Sequence, residues 1–123
     1  MEIRFTKQAV EYVERYMSRE NMDEDIAIII AEDCSGGWLS RSVQPFNVGI
    51  TTIKDAMGDT KLIKYSTNLP RSMCLYVDNG FIYETGDVVV IDFTMLGEIE
   101  LLFIPLIPKP LEQYEFWSDK DDA

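Results

Sequence analysis

An α+β domain is predicted, with one helix followed by a mostly β body that folds into a sandwich-like unit. Three observations predict it. The chain has 123 residues, a length that suits one domain with a single modest core. Residues 7–19 carry apolar side chains at helical spacing. The later apolar runs are short, often β-branched, and separated by Gly, Pro or Asp-Asn-Gly. Hydrophobic residues make up 46% and charged residues 27%, as in ordinary globular chains, so the body is expected to be ordered.

The elements follow in order. Ile3 and Phe5 alternate with polar neighbours in a short entry segment. Thr6 is placed as an N-cap, because its hydroxyl can accept a free N–H of the first turn. Ala9, Val10, Val13, Tyr16 and Met17 then form one stripe of an amphipathic helix. The polar "RENMDED" reads as a loop. "DIAIIIAED" is expected to be a strand buried on both faces. "CSGG" turns the chain, and "WLSRSVQPFNVGI" returns as the second strand of a hairpin, interrupted near Pro45. Residues 51–72 hold weaker signals: a helical turn before Gly58, or a short strand at 61–65.

The clearest β region begins at Met73. Met73, Leu75 and Val77 alternate with Cys74 and Tyr76, and Asp78-Asn79-Gly80 supplies turn chemistry. Phe81-Ile82-Tyr83 is expected to continue as a strand, and residues 88–93 to form another. Gly97 marks a turn into "EIELLFIPLIP", where Ile99, Leu101 and Phe103 alternate with Glu98, Glu100 and Leu102. Pro105, Pro108 and Pro110 end regular pairing, since proline lacks the ladder donor. Residues 108–123 form an acidic, aromatic tail that either docks as a short helix or frays.

Charge narrows the function classes. The net charge is -11. Such a surface repels phosphate backbones and anionic membranes, so neither nucleic acid nor membrane is an expected partner. It is compatible with a basic protein, and equally with acidity that serves solubility alone. No basic-then-apolar leader opens the sequence and no apolar run approaches membrane-spanning length, so a cytoplasmic setting with free thiols is expected. The chain has no histidine, which excludes Ser-His-Asp and Cys-His relays and HExxH zinc sites. Gly58, Gly86 and Gly97 stand singly, so no phosphate cradle or dinucleotide fingerprint exists. No enzymatic activity is expected.

Few residues remain for chemistry. Cys34 sits between opposing influences. Glu32 and Asp33 raise a thiol pKa by like charge, whereas N–H groups of Ser35-Gly36-Gly37 turned toward the sulfur would lower it. It reads as a thiol or metal ligand, or as part of a structural turn. Cys74 reads as a small buried hydrophobe, or as the second half of a dithiol with Cys34. Asp78 and Asp92 follow apolar runs. They read as hard-cation ligands or, more simply, as a turn residue and a residue on a solvated strand face. Trp38, Phe116 and Trp117 read as partner-surface aromatics or as packing residues.

The order of these segments resembles the HesB/IscA family of A-type iron–sulfur cluster assembly proteins over residues 1–107. "IRFTKQAVEYV" is similar to the family's opening strand and helix. "IAIIIAEDCSGGW" is similar to its first core strand running into a Cys-Ser-Gly turn. "LYVDNGFIYETGDVVVIDF" and "IELLFIPLIP" are similar to its later strands. The resemblance implies a compact HesB/IscA-like fold, a homodimer, and partners in iron–sulfur assembly. Carrier members hold iron or a cluster through three cysteines, one in the Cys-Ser-Gly turn and two in a C-terminal Cys-Gly-Cys. Cys34 matches the first, and no cysteine follows Pro105.

Three functional expectations follow. The first is an atypical assembly-related protein that binds iron or a cluster transiently through Cys34. The second is a protein-interaction module that keeps the fold without metal. The third is a thiol-redox protein using Cys34 and Cys74.

Overall fold

A computed structural model describes residues 2–21, 25–32, 46–80, 88–105 and 109–119. Strand β1 (Glu2–Phe5) leads into helix α1 (Lys7–Arg19). Strands β2 (Ile26–Glu32) and β3 (Phe46–Thr52) follow, then a short helix α2 (Ile53–Met57), β4 (Leu62–Tyr65) and β5 (Met73–Asp78). β6 (Val88–Leu96), β7 (Ile99–Phe103) and a 3-10 turn at Leu111–Gln113 complete the described elements. The α+β class expected from the sequence is the class observed.

The strands form two sheets. One is three-stranded in the order β1-β6-β7, the other four-stranded in the order β3-β2-β5-β4. β1 runs parallel to β6, with Ile3 opposite Val89 and Phe5 opposite Ile91. β2 pairs antiparallel with β3 and parallel with β5, so it lies inside its sheet. Residues 51–72 supply both elements that the sequence offered as alternatives, α2 and β4.

Helix α1 begins where local chemistry directs it. The Thr6 hydroxyl accepts the Ala9 N–H at 3.2 Å, and Thr6 itself is buried. Ala9, Val10, Tyr12 and Val13 face the core. That core is shared. Ile3 and Phe5 of β1, Ile26, Ile28 and Ile30 of β2, Leu75 and Val77 of β5, and Ile91 of β6 meet the helix in one cluster. Each such aliphatic side chain stabilises the fold by about 1.5–3 kcal/mol relative to exposure.

The other face of the four-stranded sheet is covered by α2. Ala27, Ala56 and Tyr76 are buried there, with Ile29, Ile53, Leu62 and Cys74 packed around them. β2 is therefore apolar on both faces, as the unbroken run in its sequence predicts. Thr52 caps α2 by accepting the Asp55 N–H at 3.2 Å.

The free edge of β1 is closed by side chains and by the C-terminal segment. Asn68 accepts the Phe5 N–H at 2.8 Å and donates to the carbonyls of Phe5 (3.0 Å) and Trp117 (2.8 Å). The Trp117 N–H donates to Phe5 O at 3.1 Å, and Lys7 N–H to Glu115 O at 2.8 Å. Trp117 is buried in the main core. Residues 115–117 thus dock, by edge pairing and one large aromatic side chain.

Candidate functional site

Cys34, the one residue the sequence nominates as a metal ligand, lies outside the described residues, as does Trp38. So does the Phe81-Ile82-Tyr83 strand expectation. Two residues before Cys34, β2 ends at Glu32, opposite Phe46 at the start of β3. Neighbouring β5 runs parallel to β2 and ends at the same sheet edge, at Asp78. β2 is paired on both sides as far as Ile30, and Ala31 and Glu32 pair with β3 alone.

Asp78 is a turn residue. Its Oδ1 accepts the Gly80 N–H at 2.8 Å, the local bond that an Asp-Asn-Gly turn favours. Asp92 differs from the solvated position expected for it. It is half-buried, its Oδ1 accepts the Thr6 hydroxyl at 2.8 Å, and it accepts the Phe93 N–H at 2.8 Å. The physical reason is the parallel pairing of β1 with β6, which brings Thr6 beside Asp92. The carboxylate thereby anchors the residue that caps α1.

Cys74 is a half-buried free cysteine. It lies on the α2 side of β5, out of phase with Met73, Leu75 and Val77. Its partner across the parallel ladder is Ala27. Glu32 lies five residues further along β2, about 16 Å at the usual strand rise. Two residues of chain reach back at most about 7 Å. A disulfide needs Cα atoms within about 7 Å, well short of the distance from Cys74 to the end of β2 at Glu32.

Among the described residues, no group of three or more Cys, Asp or Glu is placed to hold a metal ion. Two clefts are lined by described residues. The larger, of about 380 Å³, lies beside β1 and is lined by Glu2, Arg4, Ser66, Thr67 and Phe116. The Arg4 guanidinium sits 5.5 Å from the centre of the Phe116 ring, and its Nε donates to Glu2 at 2.8 Å. The hydroxyl of Thr67 is used structurally, donating to Ile3 O.

The smaller cleft, of about 150 Å³, lies between α1 and the edge strands β3 and β7. Tyr12 and Tyr16 line it with Ile50, Glu100 and Leu101. Tyr12 stacks on Phe93 with ring centres 4.8 Å apart, and Arg15 lies over both rings. Arg19 donates to Glu100 at 3.2 Å. Burial pushes the Tyr12 phenol up, Glu100 pushes it further, and Arg19 opposes them. Neither Arg4 nor the Tyr12–Arg19–Glu100 group carries a local sequence signal. Their partners come from Phe116 and from β7, remote in the chain.

No protein-family model matches the chain, and no curated protein matches it as a relative. Among the described residues, no helix is long and apolar enough to cross a membrane.

Proposed function

We propose that this chain is an atypical relative of the A-type iron–sulfur assembly proteins that takes iron or a cluster transiently through Cys34. The observation that carries the reading is the sequence match at Cys34, which comes two residues after the last residue of the buried strand β2. Cys74 lies about 16 Å along the ladder from the end of β2, so the reading counts one thiolate per molecule. Iron–sulfur clusters usually take four such ligands. The others would come from a second copy of the chain or from an assembly partner, with iron as cargo and no catalytic step assigned to the chain.

A second reading keeps the fold as a protein-interaction module without metal. It is favoured by the exposed apolar side chains Leu96, Ile99 and Leu101 at the β6–β7 hairpin.

Anaerobic addition of ferrous iron and sulfide to wild type, Cys34→Ser and Cys74→Ser tests the first reading. Visible absorption and metal analysis are the readouts. A thiolate-to-iron band present in wild type and Cys74→Ser but lost in Cys34→Ser is the expected result. Equal iron in all three proteins would remove Cys34 from the function and leave the interaction module.

A further inference from the structure

Strands β6 and β7 are joined by a two-residue turn, Gly97-Glu98, with Leu96 paired to Ile99. Gly97 has φ +63° and Glu98 does not share that sign. A glycine at the first central position is what a type II′ hairpin turn requires. The hairpin is thus a rigid, specified element.

Its two faces differ. Ile91, Phe93 and Leu102 point into the main core with α1. Strand alternation places Leu96, Ile99 and Leu101 on the opposite face. There they remain 60%, 63% and 37% exposed. Leu96 and Ile99 are cross-strand neighbours, and Leu101 lies two residues further on beside Thr94. Three large apolar side chains therefore form one short strip on a sheet face, the kind of surface that marks an interaction site.

Charge selects the occupant. The chain carries -11 overall, and exposed Glu98 sits within the strip's turn. Among the described neighbours, the nearby cation Arg19 is engaged by Glu100. A second copy would bring an equal negative charge to the same contact. A partner of opposite sign gains from the field of the whole molecule. A sheet face is covered most simply by a helix, and the strip, two strand residues or about 7 Å long, falls between one and two helical turns.

We infer that the outer face of the β6–β7 hairpin docks a cationic amphipathic helix of another protein, with Leu96, Ile99 and Leu101 as its apolar contacts. The inference rests on the interaction-module reading and holds with or without iron at Cys34.

The test uses the full chain and a labelled synthetic peptide of about 18 residues, leucine on one helical face and lysine on the other. A peptide with glutamate in place of lysine is the control. Binding is read by fluorescence anisotropy at physiological salt. The comparison is between wild type and the triple variant Leu96→Thr, Ile99→Thr, Leu101→Thr, which changes no charge and suits exposed strand positions. Circular dichroism checks that the variant is folded. The expected result is binding of the lysine peptide alone, weakened at least about tenfold in the variant. Equal binding by both proteins would place the contact elsewhere and overturn the docking face, leaving an interaction module in place. No binding of either peptide would overturn the proposal and the module reading for cationic helices together. A wild-type dimer by light scattering that becomes monomeric in the variant would assign the strip to a second copy instead.

Discussion

Replacing Asn68 with Ala isolates the clasp that joins β1, the segment before β5 and the C-terminal residues. The side chain makes three bonds to main chain: one from Phe5 N–H, and one each to Phe5 O and Trp117 O. Phe5 O keeps the Trp117 N–H at 3.1 Å in the variant. Two groups are then left without their partner, the Phe5 N–H and the Trp117 carbonyl. A buried polar group that loses its bond costs about 1–3 kcal/mol. These groups are partly buried, so the lower end applies to each, about 2 kcal/mol in all. For a chain of this size the midpoint temperature would fall by roughly 6–12 °C. Urea unfolding followed by circular dichroism measures the loss, because tryptophan emission would mix Trp117 with Trp38. The slope on denaturant should stay constant while the midpoint falls. Asn68→Asp keeps an acceptor for Phe5 N–H but loses both donated bonds, so it should be no less destabilising. A loss below about 0.5 kcal/mol in Asn68→Ala, the range of ordinary surface changes, would refute the clasp.

Two further outcomes are expected. The Tyr12 phenol is held above its ordinary value, first by burial and then by Glu100. Its stabilising effect is complete below the unfolded value near pH 10 and is lost as pH rises through the folded value. Tyr12→Phe, which retains the stack on Phe93, should show a shallower fall of the urea midpoint between about pH 9 and pH 11; an identical fall in both proteins would contradict this. The second outcome concerns the thiols. Mild oxidation should give disulfides only between molecules, seen as dimers on non-reducing gels, and a monomer lighter by two hydrogens would contradict the β2–β5 register.

Much of the fold is legible in the sequence because its causes are local. Thr6 caps α1 and the helix runs over Lys7–Arg19, as capping chemistry and helical spacing predict. The run from Ile26 is a two-faced buried strand because Ala27 and Ile29 meet α2 while Ile26, Ile28 and Ile30 meet α1 and β1. Cys74 falls on the α2 side because a strand alternates with period two.

What escapes the sequence is set by distant pairing. Phe5 and Asn68 are 63 residues apart, and Asn68 reads as an ordinary loop residue until β1 is beside it. Trp117 sits in what reads as an acidic tail, yet it fills the core at the β1 edge. In β7 the alternation is visible, but which phase is buried is not. Leu102 turns inward because its cross-strand partner Phe93 packs against the core, and alternation then sends Ile99 and Leu101 outward. Tyr12 lies off the stripe named from the sequence and is buried because β6 places Phe93 against it.

The two proposed features constrain one another. A lone thiolate at the end of β2 cannot complete a cluster, so its hold on iron depends on ligands from another molecule. Such a shared site is weak when the two molecules meet only through the metal. A second, metal-independent contact makes the metal contact intramolecular and raises its effective concentration. The outer face of β6–β7 belongs to the three-stranded sheet, whereas Cys34 follows the four-stranded one. A partner held by that face leaves the β2 edge available for iron. If the chain both takes iron and docks a partner, the triple threonine variant should lose partner-assisted iron transfer, and its iron uptake without that partner should equal that of wild type. Loss of both together would mean that the strip and the thiol act as one site.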